Sequence, residues 1–120
     1  MKSGKVWGET ELILQTPFIE FHRIWVHQNG YCSTHKHDYK WNMFYVISGE
    51  LEIQIHKKDY PLVDKTTLGP REWTTVKPGE FHSFQAKEDT MALECIIQSL
   101  CLMILLERQW VVTVSECHIS

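Results

Sequence analysis

His35 and His37 stand one residue apart in "STHKHDYKWNMFYVISGEL", residues Ser33 to Leu51, and His82 follows the Pro78-Gly79 turn in "TVKPGEFHSFQA". Imidazole nitrogens bind divalent metals at about 2.0–2.1 Å. If residues 35–37 run as a strand, alternation aims both imidazoles at one face and Lys36 at the other. Where the first face lines a barrel, the histidines can clamp an ion and the lysine meets water. Either half alone has a plainer reading. An H-x-H pair can simply face solvent, and a histidine after a Pro-Gly turn can cap a loop. Both halves in one strand-rich chain point to a metal centre, with His82, Phe84 and Ala86 sharing one strand face.

The elements that must position these groups have an apolar period of two. "FIEFHRIWVH", "NMFYVISG", "LEIQIH", "EWTTVKPG", "FHSFQA" and "MALECII" are short runs rich in β-branched and aromatic residues, bounded by Gly, Pro, Asn or Asp. Turn signals fall at "HQNGY", "ISGE", "KKDYPLVDKT", "LGPRE", "KPGE" and "AKEDT", with glycines able to take the positive φ of tight turns. No ten-residue helical stripe appears before residue 96. The fold class is all-β, a sandwich or a barrel.

At 120 residues the chain is expected to form one domain with one core. A net charge of −3 without a basic run gives nucleic acid or an anionic membrane nothing to hold, so a small molecule is the expected ligand. "MKSGKVWGETELIL" does not read as a signal peptide, and "SLCLMILL" is far short of the roughly 20 residues that span a bilayer. The expected location is cytoplasmic. Cys32, Cys95, Cys101 and Cys117 show no CxxC spacing, so free thiols are expected.

Taken together, these motifs resemble those of the cupin superfamily. Its first motif runs from a glycine through H-x-H to a glutamate and a second glycine. Gly30, His35, His37, Asn42 and Gly49 follow that order here, and Gly79 with His82 matches the second motif. The resemblance covers about residues 5–97 and implies a jelly-roll barrel, the double-stranded β-helix, as a cupin domain over residues 1–98. It also implies one divalent ion, zinc, manganese, nickel or iron, held by His35, His37 and His82. Asn42 stands where the family has its glutamate ligand. An amide oxygen there would bind without adding charge, or would leave the position to water.

"KVWG", "YVISGELEI" and "LGPREWTTVKPGEFHSFQA" are similar to the small cupin domains of the mannose-6-phosphate isomerase type. That similarity implies a sugar or sugar-phosphate ligand and Lewis-acid isomerase or epimerase chemistry. Two other functions stay open. One is a non-haem iron dioxygenase, whose two-histidine, one-carboxylate form is weakened by Asn42 while its all-histidine form is not, and the other is a non-enzymatic carbohydrate or small-molecule binding module. Trp41, Phe44, Phe84 and Glu52 are the expected pocket lining, although strands also favour such aromatics as core filling. No general base can be placed. Glu52, His56 and His22 are interior candidates, and no Arg/Lys cluster suggests a phosphate site.

After "MALECII" the sequence becomes unusually apolar, "QSLCLMILLERQWVVTVSECHIS". A frame read from the third base of the Met103 codon permits a polar, glycine-ended peptide instead. Residues 99–120 are therefore read as an atypical apolar tail, with a frameshift and a native tail as the two open readings. As written, the tail would have to be buried, and a homodimer interface is the expected place.

Overall fold

The computed structural model describes residues 2–57 and 61–99. Among the described residues nine strands run as β1 (Lys2–Lys5), β2 (Gly8–Gln15), β3 (Ile19–Val26), β4 (Lys40–Ser48), β5 (Leu51–His56), β6 (Val63–Leu68), β7 (Trp73–Val76), β8 (Phe81–Ala86) and β9 (Thr90–Gln98). They form a six-stranded sheet of order β1-β2-β3-β9-β4-β7 and a three-stranded sheet of order β6-β5-β8, both wholly antiparallel. The architecture is all-β and fits a cupin jelly roll.

Alternation decides what each strand turns inward. On β4, Asn42, Phe44 and Val46 are buried while Met43, Tyr45 and Ile47 are exposed. Register carries this face across the sheet, pairing Phe44 with Glu94 and Val46 with Ala92, and Ala92 in turn with Ile24. On the smaller sheet, Leu51, Ile53 and Ile55 of β5 pair with Ala86, Phe84 and His82 of β8. The core forms where these faces meet, with Ile24, Phe44, Val46, Leu51, Ile53 and Phe84 at its centre. Trp7 closes one end, its ring edge-on to Phe84 at 5.1 Å between centroids.

Strands β3, β4, β5, β7, β8 and β9 lie where the apolar period places them. Strands β1 and β2 go beyond that reading, because "KSGK" and "GETELILQ" are largely polar and carry little alternation, and β6 overturns part of the turn expected at "KKDYPLVDKT", since Val63–Leu68 pairs with β5 along its whole length. Positive φ is not confined to glycine. At two turns it falls on Asn29 (67°) and Arg71 (68°), not on the neighbouring Gly30 and Gly69. Gly49 does need its missing side chain. Its φ is 96°, and a Cβ there would meet the Asp89 carbonyl oxygen at 2.4 Å.

The described residues contain no helix long and apolar enough to cross a membrane. Cys32 and Cys95 are free thiols. Residues 100–120, which hold almost all of the atypical tail and its expected packing between two copies, lie outside the described residues.

Candidate metal centre

The H-x-H pair is not in a strand. Residues 32–38 are irregular, and β4 begins only at Lys40, because His35 is fixed as an isolated bridge to His82 of β8. The His35 N–H donates to the His82 carbonyl at 3.0 Å, and the His82 N–H donates back at 2.8 Å. Two residues on, the Gly79 N–H donates to the His37 carbonyl at 2.8 Å. One backbone ladder therefore fixes the histidine pair against both the Pro78-Gly79 turn and His82. The expected split of directions survives. Lys36 is exposed, pairs with Asp38 at 3.1 Å and lies 5.1 Å over the Phe81 ring.

The three imidazoles converge. Each of His35, His37 and His82 offers a ring nitrogen, and all three such atoms lie within 4.8 Å of one another. His35 Nδ1 lies 2.9 Å from the Ser33 carbonyl oxygen and His82 Nδ1 lies 3.1 Å from the Glu80 carbonyl oxygen. A carbonyl only accepts, so each Nδ1 carries the proton and each Nε2 keeps its lone pair for a ligand. His82 is 1 % exposed, and its Nε2 is buried without a hydrogen-bond partner.

Two of the three rings are held toward their neutral form. Burial, followed by the charge of His35 and His37, lowers the His82 pKa from 6.5 to about 4. Burial and then His35 lower that of His37. These observations are what a metal-ligating set requires: protonation disfavoured at His37 and His82, tautomers fixed from behind at His35 and His82, and at His82 a buried lone pair with nothing to accept from. The residues fit one divalent ion.

Beneath the histidines, the Phe44 ring lies 6.5 Å from that of His82 and 6.2 Å from that of Phe84. Both phenylalanines are core residues that form the floor of the site. Asn42 shares the inner face of β4 with Phe44 and is 1 % exposed. Its Nδ2 donates to Glu94 Oε2 at 2.9 Å, and its Oδ1 is buried without a partner. Burial, only partly offset by the Asn42 hydrogen bond, pushes the Glu94 pKa up to about 7. His22, the cross-strand partner of Glu94, likewise has a buried Nδ1 without a partner.

Two of the expected lining residues lie elsewhere. Trp41 pairs with Ile97 on the opposite face of the large sheet from Asn42. Glu52 alternates with Leu51 and Ile53 and so points away from the core, where it accepts from Lys87 at 2.9 Å and from Gln54 at 2.8 Å. Those partners, Lys87 first, hold its pKa below the ordinary carboxylate value. His56 shares that outer face and lies 3.4 Å from Ser83 Oγ. Glu94 is the carboxylate that sequence reasoning missed. Its signal was a lone acid between Ala92 and Ile96 in an apolar strand.

A family model described as a cupin domain matches residues 23–101. Among solved structures, KdgF from Halomonas sp. is similar at 16% identity and a TM-score of 0.68, covering 82% of this chain and 87% of that one. The capsular polysaccharide assembling protein CapF from Staphylococcus aureus is similar at 14% identity and a TM-score of 0.74, over 82% of this chain but only 28% of its own. A Klebsiella pneumoniae protein with a double-stranded beta-helix domain is similar at 18% identity and a TM-score of 0.68, over 80% of this chain and 76% of that one. At such identities the likeness is one of fold. No curated protein matches the chain.

Proposed function

Because this chain belongs to the cupin family, with the domain spanning residues 23–101, we propose that it binds one divalent metal ion through His35, His37 and His82 and uses it to hold a small, oxygen-rich, sugar-like ligand. The observation that carries this reading is His82, whose Nδ1 is engaged by the Glu80 carbonyl and whose Nε2 is buried and unpartnered. Such an atom is costly to leave empty-handed, and a cation satisfies it.

A bound divalent ion would act as a Lewis acid toward an adjacent hydroxyl and carbonyl. The chain does the rest. Phe44 and Phe84 give the site an apolar floor, the neutral histidines leave the charge of the ion uncompensated, and Glu94 is a carboxyl near neutrality on the same face. Isomerase or epimerase chemistry of the mannose-6-phosphate isomerase type is the activity this arrangement favours. The likeness to a capsular polysaccharide assembling protein supports a sugar-related ligand. A neutral amide at position 42 in place of a carboxylate argues against an iron oxygenase with two histidines and one carboxylate.

We further propose that a second copy covers the outer face of the large sheet. There Met43, Tyr45 and Trp73 are 37%, 39% and 65% exposed around a shallow apolar cavity of about 170 Å³.

The test of the metal reading is elemental analysis of the wild type beside a His35→Ala, His82→Ala double variant, followed by titration of the loaded protein with aldose and ketose sugars. About one ion per chain, lost in the variant, with sugar binding only when loaded, is the expected result. No ion in the wild type after reconstitution would overturn the reading.

A further inference from the structure

Glu94 lies across β4 and β9 from Asn42 as a diagonal neighbour, since Phe44 pairs with Glu94 and Asn42 with Ile96. We infer that Glu94 is a positioning residue that holds the Asn42 amide with its NH2 toward β9, so that Oδ1 is presented to the histidine cluster as an oxygen ligand for the metal. This rests on the metal-binding reading above.

The two ends of an asparagine amide have nearly the same shape, so hydrogen bonding decides which way it turns. In its ionised form the Glu94 carboxylate only accepts, and the 2.9 Å contact to its Oε2 is then made by the Nδ2 end, which fixes where the other end goes. That other end, Oδ1, is buried without a partner, as is Nε2 of His82, and both residues lie on the inner face beside Phe44. Two acceptors cannot satisfy each other. A cation, or a molecule that donates to both, satisfies the pair. With the cation, the ligand set is three neutral nitrogens and one neutral oxygen. The Glu94 carboxylate then acts from behind the amide, where its hydrogen bond polarises the carbonyl toward the ion.

The alternative is that Glu94 merely ties β9 to β4, in which case metal binding does not depend on it. Zinc(II) and cobalt(II) titrations of the full chain separate the two, with calorimetry giving affinity and the cobalt visible spectrum reporting the ligand set. Glu94→Leu keeps the bulk and removes the acceptor, and is expected to weaken binding about 10–100-fold. Asn42→Ala is expected to weaken it comparably and to shift the cobalt bands in the same way. Glu94→Gln can still accept through its amide oxygen and is expected to rescue both readouts. In the Asn42→Ala background, Glu94→Leu should cost nothing further.

Wild-type affinity in Glu94→Leu, or an equal loss in both backgrounds, overturns the inference while leaving the metal reading standing. If Glu94→Leu does not fold, wild-type affinity and spectrum in Asn42→Ala overturn it equally. A wild type that binds neither ion overturns the metal reading and this inference together.

Discussion

His35 and His82 are each held through Nδ1 by the carbonyl two residues earlier, whereas Asn42 is held by a carboxylate 52 residues away on β9. The histidine side is built locally, from an irregular segment bridged to the small sheet. The amide side exists only when two strands of the large sheet pair in one register. Local anchoring makes ligand orientation robust to distant changes. Cross-strand anchoring ties orientation to the packing of the barrel. The two sides also respond oppositely to protons, since burial lowers the pKa of His82 to about 4 and raises that of Glu94 to about 7.

The largest expected effect falls on the histidine side. His82→Ala should abolish stoichiometric metal uptake, measured by elemental analysis, with circular dichroism checking that the β fold persists. Uptake equal to the wild type would mean that the three histidines do not form the site. Next is the stabilisation that an ion gives to the whole assembly. At a hundred times its Kd, zinc should add ~2.7 kcal/mol, or about 10 °C in Tm for a domain of this size. An unchanged melting temperature would break the link between the histidine cluster and the fold.

The third effect tests the proton asymmetry in metal-free protein. Glu94 binds its proton more tightly folded than unfolded, so its stabilisation is complete below its ordinary value of 4.5 and is lost as pH rises to about 7. Glu94→Gln has no such loss. Its stability relative to the wild type should rise across that window by ~2 kcal/mol, each pKa unit being worth about 1.4 kcal/mol and solvent still reaching part of the carboxyl. His82 runs the other way. Its contribution is complete above 6.5 and is lost as pH falls to about 4, so His82→Gln should gain on the wild type toward acid. Denaturant titrations at several pH values read both slopes, and parallel curves would remove the contrast. The smallest effect is at Lys36, between the two histidines but facing outward. Lys36→Ala should leave metal affinity unchanged and cost ~0.5 kcal/mol or less, because its pair with Asp38 is exposed.

The same local-versus-distant divide separates what the sequence reveals from what it hides. His35, His37 and His82 announce themselves through close spacing and a Pro-Gly turn, features that act within a few residues. The inward face of β8, with His82, Phe84 and Ala86, follows from period two alone. Glu94 stays hidden because its neighbours on the other face, Leu93 and Cys95, are as apolar as Ala92 and Ile96, so alternation gives no contrast. Glu52 misleads for a related reason. It is buried without facing the core, its burial coming from neighbours on the outer face that include Lys87. Trp41 is aromatic and adjacent to the motif, but only the position of β4 in the register shows that it faces away from Asn42.

The reciprocal backbone bridge between His35 and His82 also fixes an order of events in the making of the molecule. On the ribosome, residues 35 and 37 emerge long before residue 82, and until β8 arrives they are two imidazoles on an unanchored chain. The third donor comes with the strand that locks the first two. A nascent chain therefore holds at most two of the three donors until β8 has joined, so any ion held by all three is taken up after that strand is in place.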